Sequence, residues 1–395
     1  MESVAASWNY PTQVHVGTHR SEQLAIYCQQ LGMKAPLLVT DPGLAPLPMT
    51  QKLLEQCQHH GMKVDVFSNI KGNPSGSNIE QGVEVFKSSA HDGVIAFGGG
   101  SALDAGKAIA LMVGQEESIW AFEDVGDNWT RVNTKGMVPV IAIPTTAGTG
   151  SEVGRSSVIT DENNKVKKII FHPNMLPQIV ILDPLLTIGL PPTLTAATGM
   201  DAFSHCLEAY CAPFYHPMAE GIALEGMRLI KDHLPVVYED GANLYSRTQM
   251  LVASTMGATA FQRGLGAMHA LAHSLGALYD AHHGTLNAVL MPYVLSANRD
   301  AIQEPIERLS RYLNLPNTSF EGFMEWLMAF RIKLAIPQTL AEIGITDQEA
   351  KKVGAMSVQD PSAGGNPIVF TAEQYTQLYR CAVKGTLPVP KLMPA

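Results

Sequence analysis

Almost every short run of β-branched and apolar residues in this chain lies ahead of the proline pair Pro191–Pro192. APLLVTD (35–41), KVDVF (63–67), GVIAFGGG (93–100) and VPVIAIPTT (138–146) are rich enough in Val, Ile and Leu to form buried strands. Polar helical stretches such as LPMTQKLLEQCQHHG separate them. Apolar runs alternating with helices predict a largely parallel, doubly wound sheet, because such strands are covered on both faces. From TLTAATGMDAFSHCLEAY onward the apolar spacing turns helical and β-branched runs all but disappear. The expectation is an α/β domain over residues 1–185, with a variant Rossmann-like sheet, followed by an all-α domain over residues 186–395. A length of 395 residues gives each a core of ordinary size.

Composition removes several classes of partner. A net charge of -9 without a basic cluster argues against nucleic acid and against an anionic membrane surface. The most apolar long stretch, VIAFGGGSALDAGKAIALMV, contains Asp104 and Lys107, which a membrane span would not carry. MESVAASWNY has no basic segment leading into an apolar run, so no signal peptide is expected and the cytoplasm is the expected compartment. Five cysteines, an odd number without CxxC spacing, suit neither a disulfide framework nor a cysteine zinc site.

Histidines cluster where the chain is otherwise small and apolar. GAMHALAHSLGALYDAHHG (266–284) holds His269, His273, His282 and His283, out of 13 histidines in all. His269 and His273 are four residues apart, and Asp201 and His205 repeat that spacing in TGMDAFSHCLEAY. On a helix, residues four apart share a face one turn apart. A carboxylate with several imidazoles suits a borderline divalent ion such as Fe(II), Zn(II), Mn(II) or Co(II). The competing reading is a set of hydrogen-bonded core histidines, and two such pairs plus an adjacent His–His weigh against it. Spacing leaves open which imidazoles bind and which do chemistry. His59 and His60, in QCQHHG, read as a polar helix end.

Two loops are suited to an anion. In VIAFGGGSALDAGKAIA a strand, a glycine turn and a helix follow one another, so Gly98, Gly99 and Gly100 would aim backbone N–H groups and the positive end of a helix dipole at a diphosphate. The dinucleotide fingerprint would need glycine where Leu103 stands, and a P-loop would need glycine at Ser101 and a hydroxyl at Ala108. PTTAGTGSEVG (144–154) also follows a strand and offers hydroxyls from Thr145, Thr146, Thr149 and Ser151. Asp41 closes the first strand, where its carboxylate would accept ribose hydroxyls or else form an Asx turn before Pro42. In the usual order the acid follows the glycines; here it precedes them, hence a variant sheet.

Taken together, GGGSALDAGK, PTTAGTGSEV, TGMDAFSHCLEAY and HALAHSLGALYDAHHG resemble the iron-containing (group III) alcohol dehydrogenase family, in order and spacing over essentially the whole chain. The resemblance implies a dinucleotide-binding domain followed by an all-helical metal domain. The metal ligands it implies are Asp201, His205, His269 and His283. It places His273 beside nicotinamide and substrate, with a part in proton transfer, and adds Asn73 and Lys167 to the cofactor residues. Ser101 and Asp104, within GGGSALDAGK, join them. His282 stands where relatives commonly carry proline or another residue, and is open as a competing ligand or proton donor. A homodimer paired near TQVHVG is also implied.

The expected activity is metal-dependent, NAD(H)-linked oxidation of a small primary alcohol or omega-hydroxy acid, or reduction of the aldehyde. An alkoxide favoured by the ion gives hydride to the nicotinamide. The resemblance favours Fe(II) over Zn(II), and repulsion between Asp41 and a 2′-phosphate favours NAD over NADP. AFQRGLG (260–266) and HHGTLNAVLMP (282–292) look most like the branch that oxidises 4-hydroxybutyrate. That branch directs attention to Arg155 and Arg263 as partners of a substrate carboxylate, against the reading of each as an ordinary salt bridge. The alternatives are a non-redox metalloenzyme resembling dehydroquinate synthase, which needs more Lys and Arg than residues 201–284 contain, and a metal-dependent hydrolase that would bind no NAD.

Overall fold

The computed structural model describes residues 8–10, 12–164 and 166–388; MESVAAS, on which the absence of a leader was read, lies outside the described residues. The chain divides into two compact units after Leu190. Residues 186–190 stay with the first unit because Asp183, just before them, is buried and accepts from Ser21 N (3.0 Å) and Ser21 Oγ (2.7 Å). Trp8 groups with the second unit, its ring stacked on His216 at 4.7 Å.

The first unit holds strands β1 (Gln13–Val16), β2 (Leu37–Val39), β3 (Asp65–Phe67), β4 (Val94–Gly98), β5 (Val140–Pro144), β6 (Ser156–Asp161), β7 (Val166–Phe171) and β8 (Ile179–Leu182). Its helices are α1 (Leu24–Gln30), α2 (Pro48–His59), α3 (Gly76–Ser88) and α4 (Gly100–Met112). Six strands form one parallel sheet in the order β1-β8-β5-β4-β2-β3. Every residue of β2, β4, β5 and β8 is buried, as the unbroken apolar runs demanded. Each such Val, Ile or Leu side chain contributes roughly 1.5–3 kcal/mol when fully withdrawn from water.

The chain leaves β2 toward β3 at one edge, and leaves β4 toward β5 in the opposite direction. That reversal makes the ends of β2 and β4 a topological switch point, where open α/β sheets bind ligands. β6 and β7 form a separate antiparallel hairpin, with β6 alternating between buried and half-buried residues as a one-face-covered strand does. At the end of α2, His60 closes the helix through a hydrogen bond to Gln56 O (2.9 Å).

In the second unit the described residues form α5 (Pro192–Cys211), α6 (Pro217–Glu239), α7 (Leu244–Ala260), α8 (Ala267–Tyr279), α9 (His283–Tyr312), α10 (Phe320–Lys333), α11 (Ala350–Ser357) and α12 (Ala372–Lys384), with no strand among them. Pro191 and Pro192 open α5, where a missing N–H and a fixed φ cost nothing. From Met200 to Tyr210 every residue of α5 is buried, so it runs through the core of its unit and its polar side chains need internal partners. No described helix is long and apolar enough to cross a membrane. The five cysteines are unpaired.

Candidate metal centre and nucleotide loops

α5 presents Asp201 and His205 one turn apart, α8 supplies His269, and α9 begins at His283. One donor atom from each of the four lies within 4.8 Å of all the others. Asp201 Oδ1 and His283 Nε2 are 3.7 Å apart, and the His205 and His269 rings stack at 4.7 Å. Tetrahedral ligands at about 2.0–2.2 Å from one ion stand about 3.4 Å from each other, so the cluster lies within small adjustments of chelating geometry. Asp201, His205 and His269 are buried, which removes the water that would otherwise compete.

Close helix packing makes this convergence possible. A β-carbon at Gly284 would fall 2.4 Å from Ala197 O and 3.1 Å from Asp201 Cβ, so only glycine lets the start of α9 approach α5. His282 is the N-cap of α9, exposed, with Nδ1 accepting from Thr285 N (3.3 Å); it stands outside the donor cluster.

Three side chains that the sequence reading did not single out complete the site. Asn287, one turn beyond His283, is fully buried; its Nδ2 donates to Asp201 Oδ1 (2.8 Å) and faces His283 Nε2 (3.1 Å) and His269 Nε2 (3.2 Å). That lone pairs from three elements meet at one amide nitrogen shows that they share a focus, as a chelated cation requires. Glu208, one turn beyond His205, accepts from His269 Nδ1 (2.6 Å). Asp360 accepts from His273 Nδ1 (3.0 Å). Burial alone would lower the His269 imidazole, but the Glu208 hydrogen bond and the charges of Glu208, Asp201 and Asp360 outweigh it and raise its pKa. Burial pushes Asp360 up, yet His273 and the hydrogen bonds from Ser362 leave it below the usual carboxylate range.

His273 is not one of the four converging residues. Its ring stacks on His283 at 5.2 Å and meets His269 edge-on at 5.9 Å, so it adjoins the cluster, with Nδ1 turned to Asp360.

In the first unit, the loops after β2, β4 and β5 come together. Gly98 has φ +142°, and a β-carbon there would meet Ala102 Cβ at 2.8 Å and Asp41 Oδ2 at 3.6 Å. Asp41 therefore sits against the glycine turn. Its Oδ1 accepts from Gly43 N (2.8 Å) and Leu44 N (3.0 Å), so one oxygen is committed to the Asx turn. α4 starts at Gly100 with Gly99 as N-cap and no side-chain cap, which leaves its first N–H groups to an anion. Thr145 N donates to Gly98 O (2.9 Å), bringing the second loop alongside the first.

The other candidates of this unit divide by function. Asp104 Oδ1 accepts from Ser151 Oγ (2.5 Å) and Oδ2 from Val158 N (2.9 Å), with Lys107 Nζ 3.3 Å away, so its carboxylate fastens the second loop and β6 to α4. Ser101 Oγ donates to Gly72 O, and Lys167 Nζ donates to Asn73 Oδ1 (2.7 Å), drawing GNPSGSN toward α4 and β7. Thr146 lies next to Gly99, its side chain 3.5 Å from where a β-carbon there would be, and Thr149 Oγ1 accepts from Ser151 N (3.3 Å).

The two arginines differ. Arg263 Nε donates to Phe214 O (2.7 Å), Nη1 to Ala209 O (3.1 Å) and Tyr210 O (2.6 Å), and Nη2 pairs with Glu220 (2.9 Å). Its guanidinium thus engages two carbonyls of the last turn of α5, Phe214 O just beyond it and one carboxylate. These contacts favour the ordinary salt-bridge reading of Arg263 over a partner for a substrate carboxylate. Arg155 lies over the Phe171 ring at 5.5 Å, with burial lowering its pKa against the pull of Asp124.

Comparison with known proteins agrees with this arrangement. Residues 11–184 match the profile of "Iron-containing alcohol dehydrogenase", and residues 195–383 that of "Fe-containing alcohol dehydrogenase family, C-terminal". The chain is 36% identical over 379 residues to 4-hydroxybutyrate dehydrogenase of Cupriavidus necator, covering 93% of this chain and 97% of that one. It is 35% identical over 364 residues to 1,3-propanediol dehydrogenase of Klebsiella pneumoniae, covering 90% and 93%. A solved structure of 1,3-propanediol oxidoreductase superposes with a TM-score of 0.90 at 33% identity, covering 95% of this chain and 100% of the other.

Proposed function

Because the chain belongs to the iron-containing alcohol dehydrogenase family, we propose that Asp201, His205, His269 and His283 hold its divalent ion, with iron(II) as the native metal. The protein is an oxidoreductase that interconverts alcohols and aldehydes with a nicotinamide dinucleotide. The convergence of one carboxylate and three imidazoles within 4.8 Å carries the metal assignment. When bound, such an ion supplies Lewis acidity toward an alcohol or carbonyl oxygen.

The chain's own residues supply placement and proton handling. Asp201 and the three imidazoles fix where the reacting oxygen is polarised. His273 exchanges the proton at Nε2, with Asp360 holding its Nδ1–H. The glycine turn at 98–100 and the loop bearing Thr145, Thr146, Thr149 and Ser151 hold the diphosphate, with Asn73, Ser101 and Lys167 shaping its border and Asp104 anchoring the second loop. Asp41 Oδ2 takes the ribose hydroxyls and repels a 2′-phosphate, which favours NAD over NADP.

The substrate we assign is a small primary alcohol or omega-hydroxy acid, with 4-hydroxybutyrate the first acid to test, supported by the likeness to the C. necator enzyme. With Arg263 engaged elsewhere, Arg155 is the remaining arginine candidate for a carboxylate. We further assign a homodimer, supported by the edge position of β1 (Gln13–Val16), and a cytoplasmic location, supported by five unpaired cysteines. The test is a panel of short alcohols, diols and hydroxy acids on anaerobically iron-loaded protein with NAD+ and NADP+. Metal-dependent turnover with NAD+ is expected; metal-independent turnover or none with any alcohol would overturn the reading.

A further inference from the structure

We infer that Glu208 is a positioning residue of the metal centre, fixing the tautomer and aim of His269. The inference deepens the metal reading above and rests on it. Asp201, His205 and Glu208 follow one another at intervals of four and three residues on α5, so one helix face presents two donors and then a carboxylate. Glu208 and His269 are both buried, with Glu208 Oε2 2.6 Å from His269 Nδ1. An ionised carboxylate only accepts, so the imidazole proton sits on Nδ1 and the Nε2 lone pair is left facing the cluster.

The same carboxylate also accepts from Gly266 N (2.9 Å) and Met268 N (2.8 Å), two N–H groups at the start of α8 that would otherwise lack partners. A β-carbon at Gly266 would stand 2.9 Å from Glu208 Oε1, so glycine clears the space for it. One buried acid thus locks the helix that bears His269 and the ring of His269 itself. A carboxylate behind a ligating imidazole raises its basicity, and losing such a partner costs about 10–100-fold in metal affinity.

The test is Glu208→Gln, which keeps length and shape but removes the charge and one acceptor. Cobalt(II) is the probe, read by competition with a chelator and by its visible absorption in the loaded protein. The variant should bind cobalt(II) about 10–100-fold more weakly than wild type, with an altered band, while the metal-free protein still folds. Equal affinity and an identical band, alongside a lower melting temperature, would reduce Glu208 to a helix cap and overturn the inference. Should the variant fail to fold, nitrogen-15 histidine spectra of zinc-loaded wild type decide. A slowly exchanging Nδ1–H that disappears in His269→Ala supports the inference, and its absence overturns it. Wild type that takes up no cobalt would overturn the metal reading as well, whereas normal uptake with an indifferent Glu208→Gln overturns this inference alone.

Discussion

His273 Nδ1 lies 3.0 Å from Asp360 Oδ2, although the two are 87 positions apart in the chain. The pair anchors His273 next to the donor cluster, where the role we assign it is proton transfer and not metal binding. His273→Ala should retain its metal and lose turnover by about a hundredfold or more. Asp360→Asn should lose less and also retain metal. Metal content by atomic emission and kcat on the same samples check both; metal loss in His273→Ala would make it a ligand after all.

Asp41 is expected to set cofactor choice. Asp41→Ser keeps a short acceptor for the turn and removes the charge. The ratio of kcat/KM for NADPH over NADH should rise at least about tenfold, equivalent to ~1.4 kcal/mol. An unchanged ratio would return Asp41 to a turn residue.

Gly98 holds a backbone conformation that glycine adopts freely and L side chains only under strain. Gly98→Ala puts a β-carbon 2.8 Å from Ala102 Cβ at φ +142°, and should cost about 1–3 kcal/mol of stability. The NADH dissociation constant, measured by fluorescence quenching, should rise while bound metal stays at the wild-type level.

Arg263→Ala removes two hydrogen bonds to the last turn of α5 and one to Phe214 O, and leaves Glu220 without that partner. A drop of about 2–4 kcal/mol in stability is expected. Reduction of 4-oxobutyrate and butanal should fall by equal factors. A selective loss of the acid substrate would restore Arg263 as a carboxylate reader.

How far the sequence foretold this arrangement depends on period. The buried strands β2, β4 and β5 stand inside the runs read for them, shortened where Pro, Gly or Thr ends the ladder. The hairpin of β6 and β7 went unread because SSVITD holds only Val158 and Ile159 as strongly apolar residues, and Lys167 and Lys168 interrupt the apolar run of VKKIIF. Helical spacing drew attention to Asp201 with His205 and to His269 with His273, while the choice of Asp201, His205, His269 and His283 as ligands rested on the family resemblance, because spacing does not tell a binding imidazole from a reacting one. Glu208 and Asn287 obey the same spacing, three residues past His205 and four past His283, and extending each face by one turn would have found them. Asp360 lies in an irregular stretch before a short 3-10 turn, where no period exists to read, and only the folded chain brings it to His273. Sequence left Arg263 open between a substrate carboxylate and an internal role because guanidinium chemistry suits backbone carbonyls as well as carboxylates.

The central claim is that four side chains from α5, α8 and α9 hold the ion on which alcohol oxidation depends. Anaerobically purified wild type, His269→Ala and His283→Ala should be measured for metal per chain and for NADH-linked aldehyde reduction after iron(II) loading. About one ion per chain in wild type, with both quantities lost together in the variants, is the expected result. Either variant keeping wild-type turnover, with or without its ion, would contradict it.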